Sequence, residues 1–247
     1  MHETDILEKF KKALTVCFAA SGLGEYLTAD STERMTTLYL RLVEENRRYN
    51  LTAVVEPERA ALLHFCDSVS IARLFPAGAR VLDVGAGGGF PSLPLAIVRP
   101  DLRITALDAT KKKTLYIEES ARLLSLSNVA VLSGRAEELA ALPAYRESFD
   151  CVTARAVAAL PVLSELCLPF LRVGGLFIAP KGSGACEERT SATAAYRLLG
   201  KCVLRDEALT VSDGTETLSR TAIVAVKNAK TPDGYPRPYA KILKKPL

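Results

Sequence analysis

The stretch Val81-Leu82-Asp83-Val84-Gly85-Ala86-Gly87-Gly88-Gly89-Phe90 decides the fold. An apolar run broken only by Asp83 enters a glycine-dense turn, and Pro91 then suits the start of a helix. Glycine admits positive φ and lets a ligand approach the backbone closely. Asp108 closes the next apolar run, nineteen residues after Gly89, the offset of a carboxylate that grips ribose hydroxyls. No G-K-[ST] follows, which excludes a Walker loop. A dinucleotide fingerprint needs a third glycine where Phe90 stands, and Pro91 and Pro94 remove N–H donors that a pyrophosphate would use. The turn therefore suits a nucleoside ligand without phosphates, such as S-adenosylmethionine, with its amino-acid end at the Asp83–Gly87 turn and its adenosine toward Asp108. A dinucleotide and a purely structural glycine turn remain the alternatives.

Outward from this loop the sequence alternates. Arg80–Val84, Arg103–Asp108, Val129–Leu132, Phe149–Thr153, Gly175–Ala179 and Thr221–Val226 read as short strands, with helices expected over Pro91–Val98, Lys111–Leu124, Ala136–Leu142 and Leu160–Leu171. Strands apolar on both faces, separated by helices, predict a parallel sheet covered on both sides. Before residue 75 the periodicity is helical: Ile6, Phe10, Ala13, Leu14 and Cys17, then Met35, Leu38, Leu42, Val43 and Tyr49, then Leu62, Cys66, Val69 and Arg73. Asp30 and Glu33 have the spacing of a capping box, and Pro57 suits a first helical turn. The expected organisation is a helical extension over 1–75, an α/β domain over 76–230 and a basic tail over 231–247.

The chain has 247 residues, 49% hydrophobic and 24% charged, with net charge +4. That is a globular composition, and no apolar run reaches the ~20 residues that span a bilayer. Met1–Lys12 lacks the apolar stretch of a signal peptide, so a cytoplasmic protein is expected. Six scattered cysteines without C-x-x-C, and two histidines, suggest reduced core thiols and no metal site. The positive charge concentrates at the end: Lys227, Lys230, Arg237, Lys241, Lys244 and Lys245 face only Asp233. Four prolines there oppose regular structure. Such a segment reads either as a strap along a phosphate backbone or as a solvated tail.

The chemistry narrows by elimination. The chain has no [DNS]-P-P-[YFW] after the fourth strand, as amino-directed nucleic-acid methyltransferases have, and no Pro-Cys nucleophile; Cys151 lies inside a strand. What remains is an acceptor atom already nucleophilic, such as guanine N7, whose lone pair needs no deprotonation. No catalytic base is then expected. A nicotinamide-dependent oxidoreductase, a non-catalytic RNA-binding assembly factor and a small-molecule methyltransferase are the rival classes.

Several motifs, in order and at matching intervals, resemble the bacterial 16S ribosomal RNA guanine-N7 methyltransferases (ribosomal small-subunit methyltransferase G, or glucose-inhibited division protein B). They are Asn46-x-x-x-Asn50-Leu51-Thr52, His64-x-x-Asp67-Ser68, the run Asp83–Ile97, Asp108-x-x-x-Lys112-Lys113, Arg135-Ala136-Glu137, Thr153–Ala158, Lys181-Gly182 and Tyr235-Pro236-Arg237. The resemblance implies a Rossmann-like class I S-adenosylmethionine-dependent sheet with an N-terminal helical extension. It also implies methylation of the guanine usually numbered 527, in the 530 loop of 16S rRNA, within the small subunit or its assembly intermediate. On this family's pattern the donor is held by Gly85, Phe90, Ala136, Glu137 and Arg155. Gly87 and Asp108 join them from the loop reading, and a monomer without metal is expected. Two departures stand out: Pro180 precedes Lys181 where the family commonly has leucine, and Pro238-Tyr239-Ala240 replaces a basic residue and glycine.

Candidate RNA contacts are Arg155, Lys181, Arg220, Arg237, Lys241, Lys244 and Lys245. Arg155 interrupts an apolar stretch and must be paired or face a cleft. Arg220 is either part of a phosphate site with Lys181 and Arg155 or an exposed strand-edge charge. Lys111, Lys112 and Lys113 open a helix, against its dipole, which hints at an external anion or a solvated face. His64, Asp67 and Ser68 share one helix face. They lie too close in sequence for a catalytic triad, and a polar network joining the extension to the cleft is favoured over direct substrate contact. Asn46 and Asn50 carry the same ambiguity.

Overall fold

The computed structural model describes residues 3–247; Met1 and His2, part of the expected extension, lie outside the described residues. Helix α1 (Glu3–Ala20) and helix α2 (Ala29–Tyr49) open the chain. The cap of α2 is not the Asp30–Glu33 pair expected from spacing. Thr28, in extended conformation, accepts from the Ser31 N–H, and Ser31 Oγ accepts from the Thr28 N–H. Asp30 falls one residue inside the helix and pairs with Arg34 at 2.9 Å. At the other end Asn50 takes the left-handed conformation, φ 50°, and closes the helix. Helix α3 (Pro57–Ala60), a π turn (Ala61–Cys66) and helix α4 (Asp67–Val69) follow without a break. Arg73 lies beyond them, in a 3-10 turn.

Among the described residues the sheet has seven strands: β1 (Arg80–Val84), β2 (Arg103–Asp108), β3 (Val129–Ser133), β4 (Phe149–Thr153), β5 (Leu171–Lys181), β6 (Val203–Ser212) and β7 (Thr217–Val226). Their order is β3-β2-β1-β4-β5-β7-β6. The first five are parallel, but β7 pairs antiparallel with both β5 and β6. The all-parallel expectation is thereby corrected. Strand β6 escapes sequence reading because it is an edge strand, with Arg205, Asp206 and Glu207 in its first half and little buried surface there. Helices α5 (Ser92–Val98), α6 (Lys111–Leu123), α7 (Ala136–Leu139), α8 (Leu160–Cys167), α9 (Ala185–Ser191) and α10 (Thr193–Gly200) complete the layers. The helix expected to reach Leu171 stops at Cys167, where Pro169 turns the chain through a 3-10 segment into β5.

Successive strand residues point into different cores. Val81, Ile104 and Cys151 join α1, α2, α5 and α6 on one face; Leu82, Leu107 and Val152 join α8 and α10 on the other. The N-terminal helices contribute Phe10, Leu14, Met35 and Leu38 to the first core, so the extension is fastened to the sheet through shared apolar packing. Cys17, Cys66, Cys151 and Cys167 are buried in these cores, whereas Cys186 is exposed.

The C-terminal segment is docked. Between Pro238 and Pro246 the chain forms helix α11 (Tyr239–Lys244), where the prolines had argued against regular structure. Its Ile242 is fully buried against Val162 and Leu166 of α8. Lys227, counted with the basic tail, is buried instead, and its Nζ donates to Glu147, Thr231 Oγ1 and the carbonyls of Leu168 and Leu171 at 2.7–2.9 Å. Among the described residues no helix is long and apolar enough to cross a membrane.

Candidate active site

A cleft of about 860 Å³ opens at the carboxyl ends of β1, β4 and β5, where open α/β sheets bind ligands. Its floor is the glycine turn. Gly85 (φ 75°) follows β1, and a Cβ there would sit 2.6 Å from a Val157 methyl, so only glycine fits. The N–H groups of Gly85 and Ala86 donate to the Leu107 carbonyl at 2.8 and 2.9 Å, tying the turn to β2. Asp108, at the tip of β2, accepts from the Gly87 N–H at 3.0 Å through one oxygen and from the Thr110 N–H at 2.8 Å through the other. Asp108 is itself buried and does not line the cleft; it braces the turn from behind, and each of its oxygens keeps a lone pair.

Asp83 does not face the cleft as expected for the amino-acid end of a donor. It is buried beneath the turn, accepting from the Ser92 N–H at 3.3 Å and from the Ser92 hydroxyl. Burial pushes its carboxyl up to about 6, against the pull of Ser92. This bond also occupies the first N–H of α5, which leaves that helix poorly equipped for phosphate. The glycine turn, the Asp108 lone pairs and the occupied helix start all fit a phosphate-free nucleoside.

The opposite wall is charged and comes from distant parts of the chain. Asp67 bridges two arginines: Arg155 Nη1 donates to its Oδ2 at 2.8 Å, and Arg220 Nε donates to its Oδ1 at 2.9 Å. Arg155 also donates to the Leu63 carbonyl at 2.7 Å and lies over the Phe90 ring, 5.8 Å from its centroid. Lys181 points into the same cleft despite Pro180, with Nζ 2.8 Å from Glu188 and 3.2 Å from the Ala158 carbonyl. Lys113, the last of the three lysines opening α6, reaches the rim. Four cations thus meet two carboxylates, and the wall carries net positive charge.

The polar network between extension and cleft is present. Asn46 grips Thr52 from both sides, its Nδ2 donating to the Thr52 carbonyl at 2.9 Å and its Oδ1 accepting the Thr52 N–H at 2.8 Å. Thr52 Oγ1 lies 2.9 Å from His64 Nε2, which is also 3.1 Å from the Val54 carbonyl. A carbonyl only accepts, which assigns the ring proton to Nε2. Burial, with Arg155 nearby, pulls the imidazole down to about 4, so it is neutral at physiological pH. The His64 ring stacks on Phe90, centroids 4.7 Å apart.

Other expected residues fall elsewhere. Ala136 and Glu137 lie past β3, outside the main cleft; Glu137 lines a second hollow of about 360 Å³ together with Arg237 and Tyr239. Arg237 is held by the buried carboxylate of Glu165; this pairing removes it from the freely exposed cations. Lys241, Lys244 and Lys245 are exposed. Glu188 escaped sequence reading, because its partner Lys181 meets it only across the end of β5. Asp67 was legible as a member of a polar helix face with His64 and Ser68, but not as the bridge between two arginines.

Residues 31–213 match the family model described as rRNA small subunit methyltransferase G. Over 226 residues the chain is 43% identical to the ribosomal RNA small subunit methyltransferase G of Halalkalibacterium halodurans, a match covering 91% of this chain and 94% of that protein. The chain belongs to this methyltransferase G family. A second member, from Leuconostoc mesenteroides, is 40% identical across 93% of this chain and 96% of its own length. Among solved structures, an O-methyltransferase from Bacillus cereus in complex with SAH shares the fold, with TM-score 0.52, 18% identity and coverage of 77% of this chain and 91% of that one. Membership makes the protein an S-adenosylmethionine-dependent methyltransferase with a Rossmann-like sheet, as the loop reading and the resemblance implied.

Proposed function

We propose that the protein methylates N7 of one guanine in 16S ribosomal RNA, in the small subunit or its assembly intermediate, in the cytoplasm. The naming of its relatives supports an rRNA substrate. The observation that carries the reading is the juxtaposition, in one cleft, of the nucleoside-shaped glycine turn and the Asp67-bridged arginine pair. When bound, S-adenosylmethionine supplies an electrophilic methyl group on a sulfonium.

The residues of the chain then have mainly to align and to exclude. Gly85, Gly87 and Asp108 fix the donor side, while Arg155, Lys181 and Arg220 hold RNA phosphate or the guanine O6 edge. An arginine hydrogen-bonded to N7 itself would block the reacting lone pair, so Arg155 is assigned to O6 or phosphate. Proton removal is not needed at N7, and His64 is braced in the polar network. Rate acceleration therefore comes from in-line alignment of N7, methyl and sulfur.

The test is transfer of labelled methyl to 16S rRNA offered naked, as an assembly intermediate and as the mature subunit, followed by mapping of N7-methylguanosine. One modified guanine, absent from cells lacking the protein, is the expected result. Label at another atom sinks the N7 assignment, and binding of the subunit without transfer favours an assembly factor.

A further inference from the structure

A basic tail serving solubility alone has no need of anchors, because chain ends ordinarily fray. This tail has three. Arg146 donates to the carbonyls of Tyr235, Thr231 and Pro232 at 2.7, 2.9 and 3.2 Å. Glu165, fully buried on α8, takes the Arg237 guanidinium in a two-point grip at 2.8 and 2.6 Å and also accepts the Arg237 N–H at 2.8 Å. Ile242 fills the apolar site on α8.

These anchors hold the tail at one place, the end of β3. Tyr239 packs in the same cluster as Ala136 and Ala158. Ala158 lines the main cleft and its carbonyl accepts from Lys181, so the tail reaches the edge of that cleft through this cluster. Across the hollow of about 360 Å³, Arg237 and Tyr239 face Arg135 and Glu137. That volume lies within the ~300–1,000 Å³ of small-molecule sites.

The geometry points to a role for this strap in donor binding: residues 236–239 form the outer wall of the adenine end of the pocket. Tyr239 is the ring contact, and Arg237, held by Glu165, is the positioning residue. This rests on the reading of Ala136 and Glu137 as the adenine site. Tyr239 and its neighbours stand where the resembling family has a basic residue and glycine, so the aromatic wall belongs to this chain's own variation. The lysines of α11 remain exposed on the outer side of the strap.

The test is calorimetry with S-adenosylhomocysteine and with 5′-methylthioadenosine, which lacks the amino-acid end. Tyr239→Ala should weaken both by a common factor of about ten, the scale of one lost aromatic contact plus its buried area. Tyr239→Phe should restore wild-type affinity, and Arg237→Ala should match Tyr239→Ala with Arg237→Lys recovering part of the loss. Photolabelling of the unaltered protein by an 8-azidoadenosyl analogue of the donor should tag the peptide containing Tyr239, whatever the variants' stability. Wild-type affinity in Tyr239→Ala, or label confined to other peptides, overturns the wall. If the unaltered protein binds neither compound, the donor reading fails instead.

Discussion

The two walls of the cleft are built by opposite means. The donor floor comes from adjacent elements: Gly85 and Gly87 set the turn, and its backbone N–H groups bind Leu107 and Asp108 at the end of the next strand, the latter 21 residues from Gly87. The charged wall is assembled from α4, the end of β4, the end of β5 and β7, so that Asp67 meets Arg155 and Arg220 from 88 and 153 residues away. The floor tolerates no side chain at its tightest point. The wall depends on its shared carboxylate, since each arginine is stabilised in a partly buried place by Asp67.

The sharpest way to break this contrast is at Gly85. Gly85→Asp should abolish measurable S-adenosylhomocysteine binding, because the new Cβ meets Val157 at 2.6 Å in a left-handed conformation. Gly87→Ala, at φ 58° but with nothing closer than 3.8 Å, should cost far less. Equal losses, read by calorimetry, would mean that backbone strain and not steric approach governs the floor.

The charged wall predicts a different kind of failure. Asp67→Ala leaves two guanidinium groups without their shared partner and should destabilise the fold by about 3–5 kcal/mol. Arg220→Ala, which leaves Asp67 still paired with Arg155, should cost about 1–2 kcal/mol. Urea denaturation compares them, and a ratio near one would show that the bridge is not shared.

The network between the walls predicts a pH effect. His64 has a folded value of about 4 against an ordinary 6.5, so the unfolded chain binds more protons between those values. Its contribution is present above pH 6.5 and is lost as pH falls through 4, by about 3 kcal/mol at most. Asp83, pushed up to about 6 from 3.8, acts in the opposite sense, its contribution being full below 3.8 and lost as pH rises through 6. The stability difference between the wild type and His64→Gln should therefore shift against the wild type across pH 6.5 to 4. A difference independent of pH would remove His64 from the network.

Legibility follows the same division. The five parallel strands and the glycine turn could be read because their signals are short-range: apolar runs, a breaker-rich turn and an acid at a set offset. Strand β6 could not, since its charged first half faces solvent at the sheet edge and only Leu209 and Val211 in its second half alternate into the core. The α2 cap was misplaced by two residues because Thr28–Ser31 and Asp30–Glu33 offer similar chemistry, and only backbone conformation separates them. The tail's anchoring could not be read because its prolines and charges speak equally for a strap and a solvated segment, while Glu165, the partner that fastens it, lies 72 residues earlier.

By itself the sequence determined the sheet's parallel half, the donor turn and the candidate cations, because these depend on residues close together and on backbone freedom that glycine alone supplies. Only the tertiary structure decided which cations are committed and to what: Arg155 and Arg220 to Asp67, Lys181 to Glu188, Arg237 to Glu165 and Lys227 to Glu147. The physical reason is that a charge has no preferred partner along the chain. Its partner is whichever opposite charge the packed elements bring within hydrogen-bond reach and away from water.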